Sequence, residues 1–80
     1  MVWRIEIDRV ALKELDAVGT PVAKRMLSFL NDRVAPLADP RSIGEALKGA
    51  TLGSLWKYRV GDYRLICNIE DGALRILVAG

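Results

Sequence analysis

The sequence contains no histidine, and Cys67 is its only cysteine. A single cysteine cannot form an internal disulfide, and without histidine no Cys/His zinc cluster can assemble. We therefore expect neither a metal nor another cofactor. A domain of 80 residues buries little surface and commonly depends on such cross-links or on a partner. Association with another molecule is thus the expected extra source of stability.

Long apolar runs are also missing. No N-terminal stretch resembles a signal peptide and no run could cross a membrane, so we expect a cytoplasmic protein without membrane contact. The length suits one domain, residues 1–80. A formal net charge of +2 is too small to indicate a nucleic-acid partner by itself. The placement of the cations is therefore more informative than their number.

The first half of the chain carries strand and helix patterns in a clear order. "VWRIEI" alternates apolar and charged residues and predicts a first strand. Asp8 is suited to cap a helix that ends at Gly19, with apolar residues at helical spacing: Ala11, Leu12, Leu15 and Val18. Thr20-Pro21 starts a second helix, whose apolar stripe is Val22, Met26, Phe29, Leu30 and Val34. The two helices are expected to form a hairpin.

The second half predicts a loop and three strands. Prolines and glycines interrupt residues 35–49, which favours a loop with at most a brief helical turn. Apolar runs follow at 54–60, 63–70 and 73–79; Gly61-Asp62 between them suits a type II′ turn and Asp71-Gly72 a type I′ turn. The predicted fold is α+β: an N-terminal strand, a two-helix hairpin and a three-stranded antiparallel meander, with the helices on one face of the sheet.

The tight turns also predict which side chains share a face of the sheet. A two-residue turn at 61–62 places Arg59 opposite Arg64 and Lys57 opposite Ile66. The face towards the helices then carries Trp56, Tyr58, Val60, Tyr63, Leu65, Cys67, Ile69, Leu74, Ile76 and Val78. The other face carries the cations Lys57, Arg59, Arg64 and Arg75.

Two arginines in direct opposition need a physical reason, because such like-charge pairs cost about 0.2–1 kcal/mol. A phosphate provides one, since two guanidinium groups and the ammonium of Lys57 can share a single anion through charge-assisted hydrogen bonds. We therefore predict an anion or nucleic-acid site at Lys57, Arg59 and Arg64. The alternative is a solvated sheet face with no ligand.

Other chemically notable residues have structural interpretations. Cys67 lies on the predicted core face, which favours a buried, unreactive thiol. Trp56, Tyr58 and Tyr63 share that face and are interpreted as packing residues. Glu14 and Asp16 are ordinary surface acids of the first helix, and Arg75 either extends a backbone-binding track or is a plain surface residue.

If the cationic face binds RNA, it could also cut it. Metal-free cleavage uses the 2′-hydroxyl as nucleophile and needs a base, charge stabilisation and an acid. Lys57 is the candidate base, because an ammonium beside two arginines is disfavoured in its charged form. Arg59 and Arg64 would stabilise the developing negative charge. No acid is evident in the sequence.

Several segments resemble one protein family along essentially the whole chain. These are "DPR" at 39–41, "LKG" at 47–49, "LWKYRVGDYRLI" at 55–66 and the closing "LRILVAG". Together with the order of elements, they resemble the RelE/ParE superfamily of bacterial type II toxins. The motif is closer to the RelE branch, ribosome-dependent mRNA interferases that inhibit translation, than to the ParE branch, which inhibits DNA gyrase without enzymatic chemistry.

The resemblance implies roles for individual residues. Lys57, Arg59 and Arg64 match the family's catalytic or phosphate-binding positions, and Lys48 and Arg75 complete the expected RNA-binding set. The family pattern continues after the last strand with a Gly-His-Arg-like motif, a further Arg and a late Tyr. We expect the chain that ends at Gly80 to lack these groups. The resemblance therefore leaves two alternatives, an active toxin and a shortened toxin that is inactive.

The resemblance also implies partners. These are a cognate antitoxin that wraps the toxin, and the ribosome with its mRNA, while DNA is contacted only through the antitoxin. An exposed sheet edge and a cationic face make antitoxin binding physically reasonable. Two alternatives remain, a ParE-like gyrase inhibitor and a protein-docking module that retains only the fold.

Overall fold

The computed structural model describes residues 2–47 and 55–80. Five strands and two α-helices follow one another along the chain: β1 (Arg4–Ile7), α1 (Arg9–Val18), α2 (Thr20–Phe29), β2 (Glu45–Ala46), β3 (Leu55–Val60), β4 (Tyr63–Glu70) and β5 (Ala73–Ala79). A π-helical turn (Leu30–Val34) extends α2, and a 3₁₀ turn (Pro40–Ser42) precedes β2. The predicted α+β class and the predicted elements are confirmed.

The helix boundaries lie where the capping residues predict them. The Asp8 carboxylate accepts a hydrogen bond from the Val10 amide, and Gly19 ends α1 with a φ of 92°. Of the apolar residues at helical spacing in α1, Ala11 and Leu15 are buried, whereas Leu12 is 52% exposed. Helix α1 packs on β5 and α2.

The sheet has the order β1-β5-β4-β3-β2. Strand β1 pairs in parallel with β5, a placement that the sequence had left open, and β3, β4 and β5 form the predicted antiparallel meander. Strand β2 pairs antiparallel with β3 at the opposite edge. The sequence predicted only a loop there, because a two-residue strand is too short to show an alternating pattern.

The turn at 61–62 has the predicted register. Arg59 pairs with Arg64, Lys57 with Ile66, and Gly61 has a φ of 61° as its position in a type II′ turn requires. The turn at 71–72 differs from the prediction. A type I′ turn needs positive φ at both central residues, but φ is positive only at Gly72 and not at Asp71.

A β-bulge in β5 changes one predicted side-chain direction. Cys67 pairs with Ile76, whereas the neighbouring Ile66 pairs with Val78, so Leu77 is an extra residue between the two pairs. An extra residue reverses the alternation beyond it. Val78 therefore lies on the face of Ile66, away from the helices, and Ala79 takes the core position. The assignment of Val78 to the core face was wrong.

The core lies between the two helices and one face of the sheet. Its buried members are Ala11, Leu15, Met26, Leu30, Val34, Tyr58, Val60, Leu65, Cys67, Ile69, Leu74, Ile76 and Ala79. Trp56 and Tyr63 pack against this cluster, so the packing role predicted for the aromatic residues is confirmed. None of the helices in the described ranges is long and apolar enough to cross a membrane.

Candidate nucleic-acid interface

The face of the sheet that points away from the helices, here called the open face, carries the predicted cations. Arg59 and Arg64 are direct cross-strand partners on β3 and β4, and both are exposed. The carbonyl of Arg64 accepts from the Gly80 amide, 3.0 Å away. Because this backbone group points towards β5, Arg59 and Arg64 form a non-hydrogen-bonded pair, the kind in which side chains come closest.

No acid neutralises this pair within the described part of the chain. Neither guanidinium takes part in an ion pair there, whereas Arg4, Arg41, Lys57 and Arg75 all do. Two positively charged groups thus project from adjacent strands without a compensating carboxylate in contact. Such a surface attracts an anion that can accept from both guanidinium groups.

Lys57 lies diagonal to Arg64 on the same face, but it has a partner that the sequence did not predict. Glu45 of β2 is directly opposite Lys57, and its Oε1 lies 3.0 Å from the Lys57 Nζ. Glu45 lies in a segment that was predicted to be a loop, where no alternation of apolar and polar residues assigns side chains to a face of the sheet. The sequence therefore offered no signal that Glu45 would contact Lys57. The environment assumed for Lys57, two arginines and no carboxylate, is therefore corrected.

Three contacts hold the segment that carries Glu45 against β3. The Tyr58 hydroxyl donates to the Pro40 carbonyl at 2.8 Å, and the Trp56 indole N–H donates to the Ile43 carbonyl at 2.7 Å. At Gly44, which has a φ of 77°, an added Cβ would lie 2.7 Å from the Lys57 carbonyl oxygen. Only glycine allows the backbone at position 44 to come this close to the backbone of β3. The position of the next residue, Glu45, is therefore set by the packing of this segment against β3.

The other two predicted RNA-binding residues are not part of this cluster. Arg75 lies on the open face but binds acids of the other sheet edge, with Nη2 3.1 Å from Asp8 Oδ1 and Nη1 3.6 Å from Glu6 Oε1. Its hydrogen bond lowers the pKa of the Asp8 carboxyl. Lys48 lies outside the described residues. A role in RNA binding stays a prediction for both.

Two titratable groups on the core side, Cys67 and Tyr58, are buried. Burial raises the pKa of the Cys67 thiol to about 12, and burial likewise raises the pKa of Tyr58. Cys67 is thus buried, as the sequence predicted. Glu14 is more than a surface acid, because its carboxylate accepts from the Ala79 amide at 3.1 Å and ties α1 to the end of β5.

The donors on the open face are suited to binding a phosphate. In the parts of the chain that the structure describes, no group of three or more acidic, histidine or cysteine side chains could hold a metal ion. The pair Arg59 and Arg64 with Lys57 beside it offers donors spaced across two strands. These donors can bind a phosphodiester and stabilise extra negative charge on it.

Known structures share the fold over almost the whole chain. A chain of the RelBE2 toxin–antitoxin complex from Mycobacterium tuberculosis superposes with a TM-score of 0.84, with 20% identity and coverage of 100% of this chain and 91% of that one. A mutant of the E. coli toxin RelE in the free state gives 0.76, with 21% identity over 100% of this chain and 83% of that one. The archaeal RelE–RelB complex from Pyrococcus horikoshii gives 0.68, with 26% identity over 99% and 93%.

Sequence comparison identifies the family. No curated protein shows significant sequence similarity to the chain. The model of the ParE toxin of type II toxin-antitoxin systems matches residues 5–79. This match and the RelE-like fold confirm the resemblance to the RelE/ParE superfamily. The chain belongs to the ParE toxin family and is a toxin of the type II toxin-antitoxin class.

Proposed function

We propose that the protein is a RelE-like endoribonuclease that cleaves mRNA on the ribosome and so inhibits translation. The observation that carries this proposal is the directly opposed pair Arg59 and Arg64, which no acid of the described residues neutralises, with Lys57 beside it on the open face. Opposed cations reduce stability unless they have a ligand. A phosphodiester of the substrate strand is a ligand whose charge complements theirs.

The proposed roles follow from the contacts. Arg59 and Arg64 bind the scissile phosphate and stabilise the negative charge that develops when the 2′-hydroxyl attacks it. Lys57 provides a third cation for the same phosphate. The general-base role expected from the sequence assumed that no carboxylate lies beside Lys57, and the ion pair with Glu45 removes that assumption.

We also propose a cognate antitoxin as the partner. Structures with the same fold include the RelBE2 and RelE–RelB complexes, in which toxin and antitoxin are bound to each other. An acidic segment of such an antitoxin could neutralise Arg59 and Arg64. The ribosome and its mRNA are the partners that the proposed activity itself requires.

The test is primer extension on mRNA from a purified translation system, with the protein as its gene encodes it. We expect cuts that require the ribosome, and a decrease in cleavage of at least tenfold in Arg59→Gln and Arg64→Gln. Lys24→Gln is the matched control, because Lys24 is an exposed cation on α2, outside the open face. Cleavage that both arginine variants retain at the wild-type rate would contradict the assignment.

A second candidate is a ParE-like inhibitor of DNA gyrase without enzymatic activity. The match to the ParE family model over residues 5–79 favours it specifically. A gyrase supercoiling assay separates the two candidates. Inhibition of supercoiling at stoichiometric toxin, together with uncut mRNA in the primer-extension test, would support the ParE-like function and refute the nuclease.

A further inference from the structure

Glu45 places a fixed negative charge at the border of the cationic surface. Its carboxylate contacts Lys57 at 3.0 Å, and the backbone pairing of β2 with β3 puts the two residues directly opposite each other. The Gly44 contact and the Trp56 hydrogen bond hold this segment in place. The ion pair is therefore a consequence of the fold and not a chance meeting of two long side chains.

This position gives Glu45 two effects on an approaching polyanion. It occupies the ammonium that would otherwise contact phosphate, and its own charge repels the strand. Both partners remain accessible, with 33% of the Lys57 side chain and 67% of the Glu45 side chain exposed. An exposed ion pair of this kind is weak enough for a phosphate to replace the carboxylate.

We propose that Glu45 is an internal competitor for RNA: it binds Lys57 in the free protein, and a phosphate of the substrate strand must replace it. The inference rests on the proposed function, because it concerns the same open face. It assigns Glu45 a role in setting the affinity of the toxin for polyanions. Arg59 and Arg64, which have no such competitor among the described residues, make the first contact.

The experiment measures binding of a single-stranded oligoribonucleotide, made uncleavable by 2′-deoxy substitution, by fluorescence anisotropy. We expect Glu45→Gln to bind roughly two- to fivefold more tightly than wild type at low salt, the range that corresponds to an exposed ion pair. At higher salt both charges are screened, so the affinity of Glu45→Gln should approach that of the wild-type protein. Tryptophan fluorescence, measured in a Trp3→Phe background so that Trp56 is the only reporter, checks that the segment still packs on β3.

Two variants separate this effect from a general change in charge. Glu70→Gln makes the same charge change on the same sheet, at the far end of β4, and should alter affinity less than Glu45→Gln. In a Lys57→Gln background the gain from Glu45→Gln should fall to the size of the gain from Glu70→Gln, because the competition for the ammonium is gone and only the repulsion of the strand is relieved. An undiminished gain without Lys57, or a gain in Glu70→Gln as large as that in Glu45→Gln when Lys57 is present, overturns the proposal.

Two further measurements complete the design: the cleavage activity of Glu45→Gln, and its affinity for a second anionic probe. Loss of cleavage in Glu45→Gln with unchanged affinity would show a direct catalytic role and overturn the competitor role. Inorganic tripolyphosphate serves as a probe that does not depend on RNA. A gain in its affinity in Glu45→Gln, with no mRNA cut by any variant in the primer-extension test, would support the competition at Lys57 and refute the nuclease. If Glu45→Gln gains affinity for neither RNA nor tripolyphosphate, the competition at Lys57 is refuted, whereas the proposed nuclease function is not.

Discussion

Removing one arginine of the opposed pair should make the protein more stable. In Arg59→Gln the cross-strand repulsion disappears, and for such a pair it costs about 0.2–1 kcal/mol. In a domain of this size, a gain of about 0.5 kcal/mol corresponds to a rise in melting temperature of about 2–4 °C. The non-hydrogen-bonded geometry of the pair puts the side chains close together, which favours the upper part of that range.

The double variant gives the sharpest form of this prediction. Arg64→Gln should stabilise by a similar amount, but Arg59→Gln/Arg64→Gln should gain little beyond either single variant, because one substitution already removes the repulsion. The coupling in this double-mutant cycle is therefore expected to be about as large as each single effect. Lys24→Gln serves as the control and should stay within about 0.5 kcal/mol of wild type.

Thermal melts followed by circular dichroism, at low salt and at 1 M salt, measure these effects. The stabilisation should be largest at low salt and fall away at 1 M, where the screening length is about 3 Å. The same variants should bind polyanions less tightly. Strictly additive effects, or destabilisation by either single substitution, would refute the argument that the pair is kept for a ligand.

Three further predictions concern groups away from this pair. Tyr58→Phe leaves the Pro40 carbonyl without its 2.8 Å hydrogen bond, and we expect a loss of about 1–3 kcal/mol in urea unfolding; a loss below 0.3 kcal/mol would contradict it. The Arg75 hydrogen bond lowers the pKa of Asp8 in the folded state. The stability that this hydrogen bond contributes is therefore fully present at a pH above the pKa of Asp8 in the unfolded chain, and it is lost as the pH falls through the pKa of Asp8 in the folded protein. Arg75→Gln should thus destabilise more at pH 7 than at pH 3, and a carboxyl NMR titration should show the Asp8 pKa rising. Burial raises the pKa of Cys67 to about 12, so a thiol reagent at pH 8 should label the unfolded chain but not the folded one, and rapid labelling without denaturant would contradict the burial.

Local turn chemistry explains why the central part of the site was predictable. Gly61 determines a two-residue turn, and the period of a strand then assigns every side chain of β3 and β4 to a face. Arg59 and Arg64 were placed opposite each other from this information alone, and the structure confirms the pairing. Tertiary contacts were not needed for that inference.

Features that depend on distant contacts were not predictable. The bulge at Leu77 arises from the fit of β5 to β4 and reverses the direction of Val78 without any glycine or proline to mark it. Glu45 is placed by the packing of Gly44 against β3, a contact between two segments whose pairing no sequence pattern indicated. The acids that bind Arg75 come from the opposite end of the chain, at Glu6 and Asp8.

The parallel pairing of β1 with β5 has a consequence for how the molecule assembles. The first strand and the helix after it both lie against the last strand. During synthesis, β1 must therefore wait for β5 before the two strands can form their backbone hydrogen bonds, and pairing over so long a loop is slow. A nascent chain remains incompletely folded until β5 has been synthesised.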